Sequence, residues 1–392
     1  MNETRCGCAI GVSRRWVLGA VCVFQAAACL RPALAGAASR QPTRRSFRLG
    51  FTPFPHDMTV KALTEVNQFV RENADIVAVH LEGVPWLEAN TEKPFHKKML
   101  ENWARHKTAK PDGGKLYLAL TPVNNDRSDL ASYRSEREHL PMPEAFVGKP
   151  FDDPLVMDTY LKYCRRAVAY FRPDYLAIGI EVNELYHKAK AKWPAYVRLQ
   201  HFVYKSLKRE HPKLPIFATF TLHNMLNPGW SDRREMLAAF RKLMVYNDVV
   251  GVSFYPFMAN LTGKSDQSLR WLAREFDGFK KPYALCEVGQ PAEPLVLNSL
   301  KITLPGSEAI QHRALSAMLS FAETRRAAFV IWFVPRDYDA LWEKMKNAAP
   351  EFFKAWRDCG LLDGDGNPRP ACRLWQKVQN LPYRPPSPAS SP

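Results

Sequence analysis

The sequence predicts an α/β protein, a single (β/α)8 TIM barrel, from three observations. Eight short apolar runs rich in β-formers recur along the 392-residue chain. Amphipathic stretches with apolar residues near i, i+3, i+4 and i+7 lie between them. No glycine-rich phosphate loop follows the first run, which weighs against an open nucleotide-binding sheet. Strict alternation of strand and helix implies parallel strands joined by right-handed crossovers. Eight such units fit a closed barrel, whose typical length is about 250 residues plus insertions.

Residues 1–35 read as a signal peptide rather than as fold. Arg14 and Arg15 precede an apolar run from Trp16 to Leu30, and the small residues of "ALA" (Ala33 to Ala35) follow. The run is short for a transmembrane helix, so no membrane span is expected after cleavage. "SRRWVLG" also has the layout of a twin-arginine export signal. The chain is therefore expected to be exported, to the periplasm or the extracellular space; an uncleaved anchor is the alternative, and "AAAC" ending at Cys29 is a poor lipobox because Ala26 stands where a large aliphatic residue belongs. Residues 36–46 read as a linker, 47–382 as the barrel, and the Pro/Ser-rich 383–392 as a disordered tail.

The eight strand runs follow in order: LGFTPF (49–54), DIVAVHL (75–81), KLYLALTP (115–122), YLAIGIEV (175–182), PIFATFT (215–221), DVVGVSFYPF (248–257), PYALCEV (282–288) and AAFVIWFV (327–334). Helical patterns between them include VKALTEVNQFVREN, PLVMDTYLKYCRRAVAYF and EAIQHRALSAMLSFAETRR. The largest insertion, Asn124 to Asp153, falls after the third run, and a second, Gln290 to Gly306, after the seventh. Both would lie on the face that carries active sites in such barrels.

A formal net charge of +16 suits anionic partners, such as an acidic glycan or an anionic envelope surface. The Lys and Arg residues are scattered, with few aromatic-interleaved clusters, so nucleic acid is not an expected partner. Beyond the leader, the cysteines are Cys164, Cys286, Cys359 and Cys372. None forms a C-x-x-C pair; Cys359 and Cys372 flank a turn-rich loop and allow a disulfide after export, while Cys286 reads as inert core.

Catalytic groups of a (β/α)8 barrel sit at the C-terminal ends of its strands. Those ends carry His80, Glu82 and Trp86 after the second run, Glu181, Asn183 and Glu184 on the fourth, and His223 and Asn224 after the fifth. Tyr255, Glu287 and Trp332 come from the sixth, seventh and eighth. Paired carboxylates suit glycosidic bond cleavage, and aromatic rings suit the apolar faces of sugars. There is no H-E-x-x-H and no G-x-S-x-G, and "DGDGN" (363–367) lacks the closing glutamate of a calcium loop. No metal and no cofactor are implied.

Asn183-Glu184 and Glu287 resemble the retaining glycoside hydrolases of clan A, whose mark is Asn-Glu ending strand four and Glu ending strand seven. Local similarity is nearest to the arabinogalactan endo-β-1,4-galactanases, through "GVSFYPF" and "CEVGQP". Two departures concern the substrate rather than the clan: Gln290 replaces a Trp, and "GIEVNEL" replaces a shorter Gly-Asn-Glu. The resemblance implies Glu184 as acid/base, Glu287 as nucleophile, Asn183 as partner of a substrate hydroxyl and Tyr255 as orienter of the nucleophile. His80, Trp86, His223 and Trp332 become pocket-lining candidates.

Alternation along the fourth run would point Ala177, Gly179, Glu181 and Asn183 inward, and Ile178, Ile180 and Val182 toward the helices. Glu181 then reads as a buried, hydrogen-bonded acid, with the working acid as its other reading. Glu184 reaches the pocket only if the chain turns or bulges after Asn183. The expected function is an exported retaining glycoside hydrolase acting on a β-linked carbohydrate. A non-catalytic glycan-binding barrel of the envelope is the alternative.

Overall fold

The computed structural model describes residues 43–227 and 232–385. The expected signal peptide, most of the 36–46 linker and the end of the 383–392 tail lie outside the described residues. Arg45 and Tyr383 sit just beyond the domain limits read from the sequence, and they pair with each other across the bottom of the barrel. The Arg45 guanidinium clamps Asp75 at 2.6 Å, and Asp75 in turn accepts the Leu49 N–H.

The strands are β1 (Arg48–Phe51), β2 (Ile76–Leu81), β3 (Lys115–Leu120), β4 (Tyr175–Ala177), β5 (Ile216–Phe217), β6 (Thr219–Thr221), β7 (Val250–Phe254), β8 (Tyr283–Val288), β9 (Leu295–Leu297), β10 (Ile302–Leu304) and β11 (Phe329–Trp332). Nine of them form one parallel sheet in the order β5-β4-β3-β2-β1-β11-β8-β7-β6. The expected (β/α)8 barrel is thus present. Its two sheet ends belong to one run of chain: β5 pairs with β4, β6 pairs with β7, and Ala218 joins them. Buried Asn247 spans this break. Its Oδ1 accepts the Ala218 N–H at 3.0 Å and its Nδ2 donates to the Ala218 carbonyl at 3.3 Å. A buried backbone group left unpaired there would cost about 1–3 kcal/mol. The 290–306 insertion is more than a loop, since β9 and β10 pair antiparallel within it.

Side-chain alternation builds two cores. Ile76, Ala78, Tyr117, Ala119, Cys286 and Ile331 fill the barrel interior, while Val77, Val79 and Leu81 pack under the helices. Gly251 faces the crowded interior, where a Cβ would lie 2.7 Å from the Phe217 ring. The helices start where the sequence supplies caps. Asp153 accepts the Leu155 N–H and Pro154 takes the first helical position of Pro154–Phe171. Ser307 caps Glu308–Thr324 in the same way.

The disulfide that the spacing of Cys359 and Cys372 allows is not formed. All four described cysteines are free and buried. Cys359 packs beside Tyr255 and Phe333, whereas Cys372 lies on helix Pro370–Gln379 in the outer core with Trp375. No helix among the described residues is long and apolar enough to cross a membrane.

Candidate active site

Two departures from regular strand geometry bring the key acids to one place. The first is on the fourth run, where β4 ends at Ala177 rather than near Val182. The chain then bends, and Glu181 adopts the left-handed conformation with φ 52°. Such a backbone costs on the order of 1–3 kcal/mol and persists only where neighbours fix it. Here they do. The Glu181 N–H donates to Thr219 Oγ1 at 3.0 Å, the Val182 N–H to the Thr219 carbonyl at 2.9 Å, and the Thr219 N–H to the Gly179 carbonyl at 2.9 Å. Gly179 has no room for a side chain, because a Cβ would lie 2.2 Å from the Tyr196 hydroxyl. The turn therefore precedes Asn183 instead of following it. Ile180 joins the barrel interior, not the helix side, while Ile178 and Val182 face the helices as expected. Glu184 lands in the first turn of helix Asn183–Lys188, 3% exposed.

The second departure is on β8. Regular alternation from Ala284 and Cys286, both interior, would turn Glu287 outward. Val252 pairs with Leu285, but the next residue, Ser253, pairs with Glu287. This bulge places one extra residue on β8 and re-aims Glu287 into the barrel.

The two glutamates have opposite surroundings. Glu184 accepts from Asn224 Nδ2 at 3.0 Å and lies 3.3 Å from Lys188 Nζ. Burial, reinforced by the Glu181 charge, pushes its carboxyl up to about 7 against the pull of Lys188 and Arg127. Glu287 is half-buried, and withdrawal from water by itself would raise it. His80 and Tyr255 outweigh burial and hold it below the usual carboxylate range. His80 Nδ1 lies 3.0 Å from one Glu287 oxygen, and the Tyr255 hydroxyl donates to the other at 2.6 Å. His80 is raised in turn: burial opposes its charge, but Glu287 prevails. His223 is driven the other way, to about 3, by burial. As a neutral ring its Nδ1 accepts the Tyr255 N–H at 3.2 Å, which fixes the backbone beneath the tyrosine.

Glu184, Glu287, Glu181, Tyr255, His80 and His223 are thus brought together. Asn183 stands directly beneath them but is fully buried, and its amide is spent on Thr221. Oδ1 accepts the Thr221 N–H at 2.8 Å, while Nδ2 donates to the Thr221 carbonyl at 3.0 Å and to Oγ1 at 2.8 Å. Thr221 is in register with Ser253, and Ser253 with Glu287. Asn183 therefore clips the Glu184 helix to the rung that carries Glu287, and no free amide group points at a ligand.

Both tryptophans leave the site. Trp332 is fully buried in the outer core with its indole N–H on the Cys359 carbonyl at 2.9 Å. Trp86 is equally buried, bonded to the Ala131 carbonyl at 2.8 Å and packed on Phe146. The aromatic wall beside Glu287 comes from other residues. Phe333 and Trp356 have ring centroids 6.1 and 6.4 Å from Tyr255, with Phe54 and Tyr338 around Phe333. Alternation carried the signal for Phe333, because the residue after an outward Trp332 turns inward.

Arg127 is the other residue that strand-end reasoning missed. The Asn124 side chain accepts the Ser128 and Asp129 N–H groups and tightens the loop, and Arg127 at its crest reaches Glu181 at 3.1 Å. Lys188 Nζ donates to the Asp126 carbonyl at 3.0 Å and ties the loop to the Glu184 helix. Glu181 is half-buried, with its carboxylate on Arg127 and its N–H on Thr219. Glu181→Gln removes a negative charge that raises Glu184. The pH above which Glu184 loses its proton should therefore fall, and the variant should lose about 1–3 kcal/mol of stability as Arg127 loses its counter-ion. A pH–rate profile and a thermal melt check both; an unmoved alkaline limb would count against the coupling.

Elsewhere, carboxylate oxygens of Glu293, Asp337 and Asp358 come within 4.8 Å of one another. Arg369 sits 2.5 Å from Asp337 and Arg357 sits 2.7 Å from Asp358, so two guanidinium groups already pair with this cluster.

No protein-family model matches the chain, and no curated relative does. Solved structures do. A glycoside hydrolase of family 5, subfamily 18, from Streptomyces cattleya in complex with GlcNAc superposes with TM-score 0.61 at 16% identity, over 88% of this chain and 83% of that one. The barrel is one shared with glycoside hydrolases. Fungal β-1,4-galactanases give TM-score 0.52 at 17% identity, over 81% of this chain and 91% of theirs. The family 53 catalytic domain from Ignisphaera aggregans gives 0.52 at 15%, over 90% of this chain and all of that one. These neighbours are clan A glycoside hydrolases, the group that the Asn-Glu and Glu motifs resemble. At such identities the likeness is one of fold.

Proposed function

We propose that the protein is a retaining glycoside hydrolase acting on a β-linked carbohydrate, with Glu184 as acid/base and Glu287 as nucleophile. The reading rests on one observation: two glutamates at the same end of the barrel have opposite surroundings, Glu184 raised by burial and the Glu181 charge, Glu287 held low by His80 and Tyr255. Glu287, ionised and oriented by Tyr255 and His80, would attack the anomeric carbon as the glycosidic C–O bond breaks. Glu184 would give its proton to the departing oxygen. Water would then attack the glycosyl-enzyme, pass its proton back to Glu184 and release Glu287 with the hydroxyl on the sugar. Phe333 and Trp356 offer apolar faces for a sugar ring.

The test is incubation with 2-deoxy-2-fluoro β-glycosides carrying a good leaving group, followed by peptide mass spectrometry. A fluoroglycosyl adduct on Glu287 is expected. An adduct on another residue, or none across a panel of sugars that includes one the enzyme hydrolyses, overturns the assignment.

Export is proposed on the layout of residues 1–35. The N-terminus of the exported protein is expected near Gly36; full-length protein confined to the cytoplasm would refute this.

A further inference from the structure

Glu82 has no task in the account above. It follows the last residue of β2, and the alternation of that strand fixes its direction. Ile76 and Ala78 point into the barrel, Val77, Val79 and Leu81 point to the helices, and His80 points in to meet Glu287. Glu82 shares their parity, one rung above His80 and nearer the mouth. It lies within electrostatic reach of both His80 and Arg127. Its backbone carbonyl accepts from Arg134 Nη1 at 3.0 Å, so the position is anchored. The half-buried carboxylate itself makes no hydrogen bond and no ion pair among the described residues.

Its neighbours differ on this point. Glu181 is taken by Arg127, Glu184 by Asn224 and Lys188, and Glu287 by His80 and Tyr255. Protein partners therefore account for the other three glutamates of the site. A carboxylate withdrawn partly from water accepts strongly from hydroxyl groups, because charge-assisted hydrogen bonds are about twice as strong as neutral ones. Two oxygens side by side match two adjacent sugar hydroxyls.

Charge narrows the ligand further. A uronate would set its own carboxylate beside that of Glu82, a like-charge contact that disfavours it.

We infer that Glu82 is a specificity-determining residue that accepts hydrogen bonds from vicinal hydroxyls of a sugar and disfavours uronic acids at the same subsite. The inference rests on the glycoside hydrolase reading of the site.

The experiment compares wild type, Glu82→Gln and Glu82→Ala on 4-nitrophenyl β-glycosides of glucose, mannose, galactose, glucosamine and glucuronic acid. The wild type should prefer a neutral sugar to the glucuronide. Both variants should raise KM for it on the order of 10- to 100-fold, the worth of one or two hydrogen bonds to a charged group. The neutral-to-glucuronide ratio of kcat/KM should fall at least about tenfold in Glu82→Gln, because the repulsion goes with the charge. Melting temperature should not move, since the side chain has no partner to lose. Unchanged KM and unchanged ratio overturn the inference while leaving the hydrolase reading intact. A wild-type preference for the glucuronide also overturns it. If no member of a wider glycoside panel is cleaved, the hydrolase reading falls, and this inference with it.

Discussion

Glu287→Ala is expected to abolish turnover on every glycoside the wild type cleaves, whatever its leaving group. Without the carboxylate no covalent intermediate forms, and losses on the order of 10⁵- to 10⁶-fold accompany removal of a nucleophile in other covalent catalysts. The loss should be insensitive to pH, because the missing group is a nucleophile rather than a proton carrier. The variant should stay folded. Tyr255 and His80 would each lose one acceptor, and His80 would lose the strongest of the anions that raise it. Retention of more than about one-thousandth of the wild-type rate on an activated aryl glycoside would remove Glu287 from the role.

Glu184→Ala should behave differently. General acid catalysis contributes roughly 10²- to 10⁴-fold, so hydrolysis of a poor leaving group should slow by that factor. An activated aryl glycoside needs no protonation of its leaving group, so formation of the glycosyl-enzyme should suffer much less. Azide should then restore turnover by entering the vacated space and attacking the intermediate. The pH profile separates the roles again. Glu184, pushed up to about 7, is protonated below that value and ionised above it. Wild-type kcat/KM should therefore fall as pH rises through about 7, and that alkaline limb should vanish in Glu184→Ala. A limb that persists unchanged, or azide rescue in Glu181→Gln instead, would move the acid/base role to Glu181.

The barrel was legible from sequence because its strands are buried on both faces and read as continuous apolar runs. Asn247 shows what such reading leaves out, since a strand broken at Ala218 and mended by a side chain leaves no mark in hydrophobicity. The site was legible as residue types at strand ends, but not as directions. Period-two alternation fails at both central acids. On the fourth run the backbone passes through a left-handed residue that is not glycine, and on β8 a bulge doubles the inward residues. Functional sites are where local rules are expected to break. Trp332 illustrates the cost of choosing by residue type: its size suggested a sugar platform, while its parity assigned it to the outer core and Phe333 to the pocket. Arg127 was out of reach for another reason. It arrives on a loop, and loops carry no periodicity from which a side chain's destination follows.

The four buried free thiols bear on when and where the chain can mature. Nothing in the described fold waits for an oxidant: its cores close around Cys164, Cys286, Cys359 and Cys372 as reduced side chains. The native state is therefore reachable in a reducing compartment, without thiol oxidase or isomerase, and reductant should neither slow refolding nor soften the product. A polypeptide with that property can reach its final shape in a reducing or an oxidising compartment alike.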